Sequence, residues 1–273
     1  MPLNLKIIKH YTTFIVRKVY GILVTLMLVC FGCQWQLKSA DDAESHTVSI
    51  QRYDRIESLY LTTGDYSAMQ QMNTYFPEQT RMLIEDVLQL GQVNDADINT
   101  KFLFFFQDST LQRMLADVQQ QYTDMDDLNE ELSASFERLH QELPHLDLPD
   151  VYAQIGSFDQ SIIIGTGTLG ISLDKYLGAD YPFYLKNYTP DQRSLMTRSM
   201  IVPDCLVFYI LSQYPVASEK LHLQKERDLH MGRIQWTVNL LTGRQVFDND
   251  FVKEVDEYMQ QHPSTTISQL LSL

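Results

Sequence analysis

Three groups of residues in this 273-residue chain have the types and spacing that chemistry requires. His222, Glu226 and His230 fall four apart, and a metal site could be drawn from them. On a helix each step of four drifts by about 40°, so the three spread over about 80° of surface. Two could share an ion, and the remaining ligands would have to come from elsewhere. The alternative is a satisfied core His230 beside exposed His222 and Glu226. Gly165, Gly167 and Gly170 spell G-x-G-x-x-G, a pattern that cradles phosphates only where a strand runs into a helix N-terminus. Here Gly170 is followed by Ile171-Ser172-Leu173-Asp174, a strand-like run. A glycine-bearing hairpin is therefore expected, and no cofactor. The third group is the cysteines, Cys30, Cys33 and Cys205. Cys205 lies in an apolar run, where a thiol is ordinarily inert packing. No Ser/His/Asp or Cys/His arrangement is present, so no catalytic residue is assigned and a non-catalytic protein is the expectation.

Cys33 is different because of what precedes it. Residues 1–18 carry Lys6, Lys9, Arg17 and Lys18 and no acidic residue, and Val19 to Gly32 is apolar. A basic segment, an apolar segment and a small residue before a cysteine make an export signal of the lipoprotein kind. The apolar run is short for a permanent span, which needs about 20 residues; an uncleaved signal anchor is the alternative. The places three and two before Cys33 hold Cys30 and Phe31, where such signals favour an aliphatic and a small residue. The expectation is cleavage after residue 32 and acylation of Cys33 with palmitate-type chains. Two or more such chains hold a protein on a bilayer durably, at about 0.8 kcal/mol per buried CH₂.

Charge and cysteine usage agree with export. The chain carries 21 Lys and Arg against 35 Asp and Glu, a net charge of −14. Loss of the four basic signal residues would take this to about −18. Such a surface repels nucleic acid and anionic headgroups, so nucleic acid is not an expected partner. Only Cys205 would remain free after processing, which leaves no disulfide framework. A core must then hold the fold, and a domain of over 200 residues is long enough to supply one.

The elements that must position these residues are mostly helical. Residues 33–50 are polar, with Asp41, Asp42 and Glu44, and read as a tether. The globular domain is expected over 51–273, with Ser49 to Asp54 either a short strand or the start of a helix. Met69, Met72 and Phe76 form a stripe that Pro77 breaks. Phe102 to Phe106 reads as a buried helix. Met125, Leu128, Leu132, Phe136, Leu139 and Leu143 form the clearest amphipathic helix, with Asp127 and Glu130 as a capping box at its start. The pattern changes at 151–173, where β-branched runs predict short strands at Val151–Ile155, Ser161–Ile164 and Thr168–Leu173. It returns to helical spacing after them. Cys205 to Leu211 is apolar all round, as in a buried helix. Ser218 to Leu241 reads as one long helix, and Ser264 or Thr265 as the cap of a short last one. The fold class is α+β: a mostly helical single domain with a small sheet.

After the strands comes Leu173-Asp174-Lys175-Tyr176-Leu177-Gly178. Together with Cys33, Arg52-Tyr53-Asp54, Tyr75-Phe76-Pro77 and Met231-Gly232-Arg233, in that order, it resembles the gliding-motility lipoprotein GldB family, over nearly the whole chain. The resemblance implies an envelope lipoprotein of a bacterium that glides or is related to one that does. With the signal, the acidic domain and the missing catalytic set, the expectation is a lipid-anchored protein that binds other envelope proteins. The layout is also similar to zinc-peptidase-related domains, where a metal-binding helix with H-E-x-x-H follows the sheet. The corresponding run here, Ser199 to Tyr214, has no His and no Glu. A hydrolase of metallopeptidase ancestry with an atypical site at His222, Glu226 and His230 is the alternative reading. Gln34 after the cysteine does not point to inner-membrane retention, so the outer membrane is the expected location.

Overall fold

In the computed structural model, residues 47–217 and 222–273 are described. Four strands form one mixed sheet in the order β1-β2-β4-β3: β1 (Ile50–Gln51), β2 (Asp150–Gln154), β3 (Ile162–Ile164) and β4 (Thr168–Ser172). β1 runs parallel to β2, β2 parallel to β4, and β3 antiparallel to β4. The period-2 pattern sets the faces. Tyr152 and Gln154 pair with Gly170 and Ser172 on one side, and Val151 and Ala153 with Leu169 and Ile171 on the other. Ser49 to Asp54, which reads as a short strand or the start of a helix, holds both: β1 at Ile50–Gln51 and the beginning of a helix at Tyr53.

Helices supply the rest. α1 (Tyr53–Thr63) follows β1 at once and stops at Gly64, whose φ of 69° is the left-handed cap that glycine adopts without strain. α2 (Tyr66–Tyr75) is capped by Asp65, which accepts from Ser67 N. Pro77 opens α3 (Pro77–Arg81), which continues as a π-helical turn over Met82–Val87 and buries Leu83, Ile84 and Val87. α4 (Ile98–Phe105), α5 (Ser109–Gln121) and α6 (Asp126–Glu142) complete the crossover from β1 to β2. After β4 come α7 (Pro182–Asn187), α8 (Pro190–Ser194), α9 (Ile201–Gln213), α10 (Gln224–Thr242), α11 (Asp250–Gln261) and α12 (Ile267–Ser272). α9, apolar throughout its Cys205–Leu211 run, packs against β3 and β4, while α1 packs against β2. One core cluster runs from Val48 to Leu271.

Several local expectations are corrected. The Phe102 to Phe106 run is not buried all round: Phe102 and Phe106 are inside, while Phe104 is 72% exposed, because consecutive residues of a helix cannot share one face. Asp127 makes no capping box. α6 has no side-chain cap, and Asp127 instead pairs with Arg198 at 2.6 Å. The last helix is capped by Thr266 with Gln269, not by Ser264 or Thr265. The folded unit also begins earlier than residue 51. Val48 is buried, and Ile50 N donates to Asn129 Oδ1 at 2.8 Å.

Candidate functional site

In open sheets with parallel strands, ligands bind beyond the carboxyl ends of those strands. Here that place collects Asp54 and Glu57 after β1, Gln154 to Gly156 after β2, and Asp174 after β4. All three carboxylates are buried, at 2%, 0% and 0% exposure. Burial pushes the Glu57 carboxyl well above its ordinary value, and the nearby Asp54 and Asp174 raise it further. Burial also raises Asp174, against the opposing pull of the backbone hydrogen bonds it accepts.

These acids bond within the protein itself, except that Glu57 Oε1, like the Tyr53 and Tyr152 hydroxyls, is buried without a hydrogen-bond partner among the described residues. Asp54 takes two hydrogen bonds from Arg52, both 2.8 Å, and the same guanidinium reaches Tyr122 O at 2.8 Å. Glu57 Oε2 accepts from Ile155 N at 2.8 Å. Asp174 accepts from Gly156 N at 2.6 Å and Phe158 N at 2.7 Å. The second pair clamps a tight turn in which Phe158 has a φ of 63°, a left-handed conformation that a bulky residue adopts only when its surroundings hold it there. Glu57 and Asp174 are thus backbone acceptors that tie the loop after β2 to α1 and to the end of β4.

The rest of the Leu173–Gly178 segment is equally occupied. Lys175 Nζ donates to Phe158 O at 2.9 Å and lies 4.7 Å from the centroid of the Tyr188 ring. Tyr176 donates to Asp204 Oδ2 at 2.8 Å, and its carbonyl accepts from Tyr122 OH at 2.6 Å. Burial pushes Asp204 up to about 6. Tyr184 donates to Asp174 O, while Leu177 N donates to Tyr184 OH at 3.2 Å. Gly178 has a φ of 108° and donates to Met196 O at 3.0 Å. Arg52 and Tyr176 meet through the two ends of Tyr122, so two motifs far apart in sequence form one hydrogen-bonded unit.

Beside this unit lies an open groove of about 600 Å³ between α5 and α7. Phe183 lines it and stacks on Phe158, with ring centroids 3.9 Å apart and planes at 14°. Tyr181 donates to Asp117 Oδ2 at 3.0 Å. Arg113 and Lys186 stand exposed in its lining. Sequence reasoning missed this groove because its residues come from two helices about seventy positions apart. The one signal it leaves in the sequence is the aromatic run Tyr181, Phe183 and Tyr184 after the conspicuous segment.

The residues singled out in the sequence do not converge. Cys33 lies outside the described residues. α10 begins at Gln224 rather than Ser218, so His222 is not on the helix with Glu226 and His230; it sits in an exposed turn. Glu226 is in the first turn of α10, and His230 is buried with Nε2 2.7 Å from Tyr214 O. Among the described residues, no group of three His, Cys, Asp or Glu is placed to hold a metal ion. Cys205 is fully buried, and burial pushes its thiol well up. Gly165 and Gly167 belong to the hairpin between β3 and β4, and Gly170 sits in β4 against the Tyr152 ring. No helix of the described residues is long and apolar enough to cross a membrane.

A family model described as gliding motility protein GldB matches residues 35–242. No curated protein and no solved structure matches the chain.

Proposed function

The chain belongs to the GldB family of gliding-motility lipoproteins, and from that premise we propose a lipid-anchored envelope protein that acts by binding a partner rather than by catalysis. The observation that carries the binding reading is the contrast within the candidate site. At the strand ends Asp174 and Tyr122 are taken up by the protein's own backbone, as is one of the two Glu57 oxygens. The groove next to them is open, aromatic and cationic. A rigid scaffold beneath an adaptable rim is the arrangement that recognition surfaces use.

The anchor in this proposal is Cys33, reached by cleavage after residue 32, and Gln34 favours the outer membrane. The partner is another envelope protein. Cys33→Ser is expected to leave an unprocessed precursor without acyl mass. Normal processing and an acylated mass in that variant would defeat the anchor. For the binding role, chemical cross-linking in whole cells should yield a discrete complex with another envelope protein. Stoichiometric zinc in the purified protein, lost on His230→Ala, would instead favour the metallopeptidase-derived hydrolase.

A further inference from the structure

The groove between α5 and α7 carries a charge opposite to that of the molecule. The chain has 35 Asp and Glu against 21 Lys and Arg, yet Arg113 on α5 and Lys186 on α7 both face this groove. Both are exposed, and neither makes a hydrogen bond or an ion pair among the described residues. The acids nearby are already engaged. Asp117 accepts from Tyr181, and Asp108, just before α5, accepts from Thr110 N and Leu111 N. Those bonds direct the acids' oxygens toward neutral donors but leave their charge in place, so the groove lining carries two cations, Arg113 and Lys186, against the one carboxylate of Asp117. Half-buried Phe183, stacked on Phe158, supplies an apolar surface beside them.

Cations flanking an aromatic surface are complementary to a chain that carries carboxylates and apolar side chains alternately. The charges set orientation and encounter rate, and the apolar contact supplies affinity. We infer that this groove docks an acidic peptide segment of a partner protein, with carboxylates paired to Arg113 and Lys186 and an apolar side chain against Phe183. The inference rests on the binding-protein reading above and adds the chemistry of the partner. A nucleic acid fits poorly, because the net charge of −14 repels a long polyanion outside the groove.

The test uses the full chain in non-ionic detergent and short fluorescein-labelled peptides in which Val alternates with Glu, Gln or Lys, read by fluorescence anisotropy. The Glu peptide is expected to bind at least about tenfold more tightly than the Gln peptide, and the Lys peptide not measurably. Arg113→Glu combined with Lys186→Glu should abolish that preference, as both side chains are exposed and their reversal leaves the core untouched. Lys225→Glu, exposed on α10 and outside the groove, should leave it unchanged. Raising the salt to about 0.5 M should weaken binding, since exposed charges are screened. Equal binding of Glu and Gln peptides, indifference to the double reversal, or binding only to phosphatidylglycerol vesicles would each overturn the assignment. So would the absence of any peptide binding at about millimolar concentration. If the cross-linked envelope complex persists in that case, only the partner chemistry falls; if it is absent as well, the binding reading falls with it.

Discussion

Asp174 and Asp204 show how single residues of the Leu173–Gly178 unit bear on stability, and they do so in different ways. Asp174 is fully buried and holds two backbone N–H groups, those of Gly156 and Phe158. Removing the acceptor leaves both donors unsatisfied, at about 1–3 kcal/mol each. Asp174→Ala should therefore destabilise the protein by roughly 3–5 kcal/mol in urea unfolding, whereas Asp174→Asn, which keeps one acceptor, should lose about half of that. Equal losses would show that the carboxylate does not act as a double acceptor. Asp204 acts through protonation. Burial raises it to about 6 from the ordinary aspartate value of 3.8, so the folded state holds a proton that the unfolded chain gives up earlier. Its contribution is full below about pH 4 and is lost as the pH rises through about 6. Glu57 and Asp174, both raised, push in the same direction. Asp204→Asn keeps an acceptor for Tyr176 and removes the titration. Relative to wild type, it should gain on the order of 2 kcal/mol between pH 4 and pH 7. Identical pH slopes for the two proteins would refute the assignment.

At the scale of elements, the seam between α1 and the sheet depends on Gly170. A Cβ there would lie 2.6 Å from the Tyr152 ring, and Tyr152 is itself buried and edge-on to Tyr53 of α1 at 6.2 Å. Gly170→Ala therefore forces the aromatic layer outward, at about 1–3 kcal/mol. Adding Tyr152→Leu should relieve part of the clash, so the double variant should be more stable than the sum of the single changes by roughly 0.5–2 kcal/mol. Strict additivity would mean that the contact does not set the spacing. This glycine also marks how far the sequence could be read. The three strands at 151–173 were legible because their β-branched runs sit between turn residues, and the amphipathic α6 was legible from its spacing. The hairpin around Gly165 and Gly167, with Gly170 in a strand, also followed from the strand-like residues after them. The close approach of Tyr152 to Gly170 was not legible, because it depends on the parallel register of β2 with β4. β1 is legible only as one of two alternatives because its pairing partner lies about a hundred residues away. The groove was hidden for the same reason, since Arg113 and Lys186 meet only through tertiary packing.

For the whole molecule, the question is where the folding unit begins and ends. The unit spans His46–Leu273, whereas the family match stops at residue 242. The described contacts favour the longer span. At the amino end, Ile50 is in the sheet and Arg52 is the partner of buried Asp54. A chain starting at Tyr53 loses both and leaves buried Asp54 only the longer contact with Arg55 Nε at 3.9 Å, and breaking a buried pair costs up to about 3–5 kcal/mol. At the carboxyl end, Gly232 packs so closely on Phe251 that an added Cβ would fall 2.7 Å from the Phe251 Cβ, and Ile267, Leu270 and Leu271 are buried. Cutting after Thr242 removes those residues and uncovers the face of α10 that they cover, and each large apolar side chain exposed to water there costs about 1.5–3 kcal/mol. With a typical total stability of 5–15 kcal/mol, either truncation removes a large fraction of it. A chain from His46 to Leu273 should melt cooperatively by circular dichroism. Chains starting at Tyr53 or ending at Thr242 should melt at least about 10 °C lower or fail to fold. If the chain ending at Thr242 melted like the longer one, α11 and α12 would be an appendage rather than part of the core, and the family match would mark the true limit of the fold.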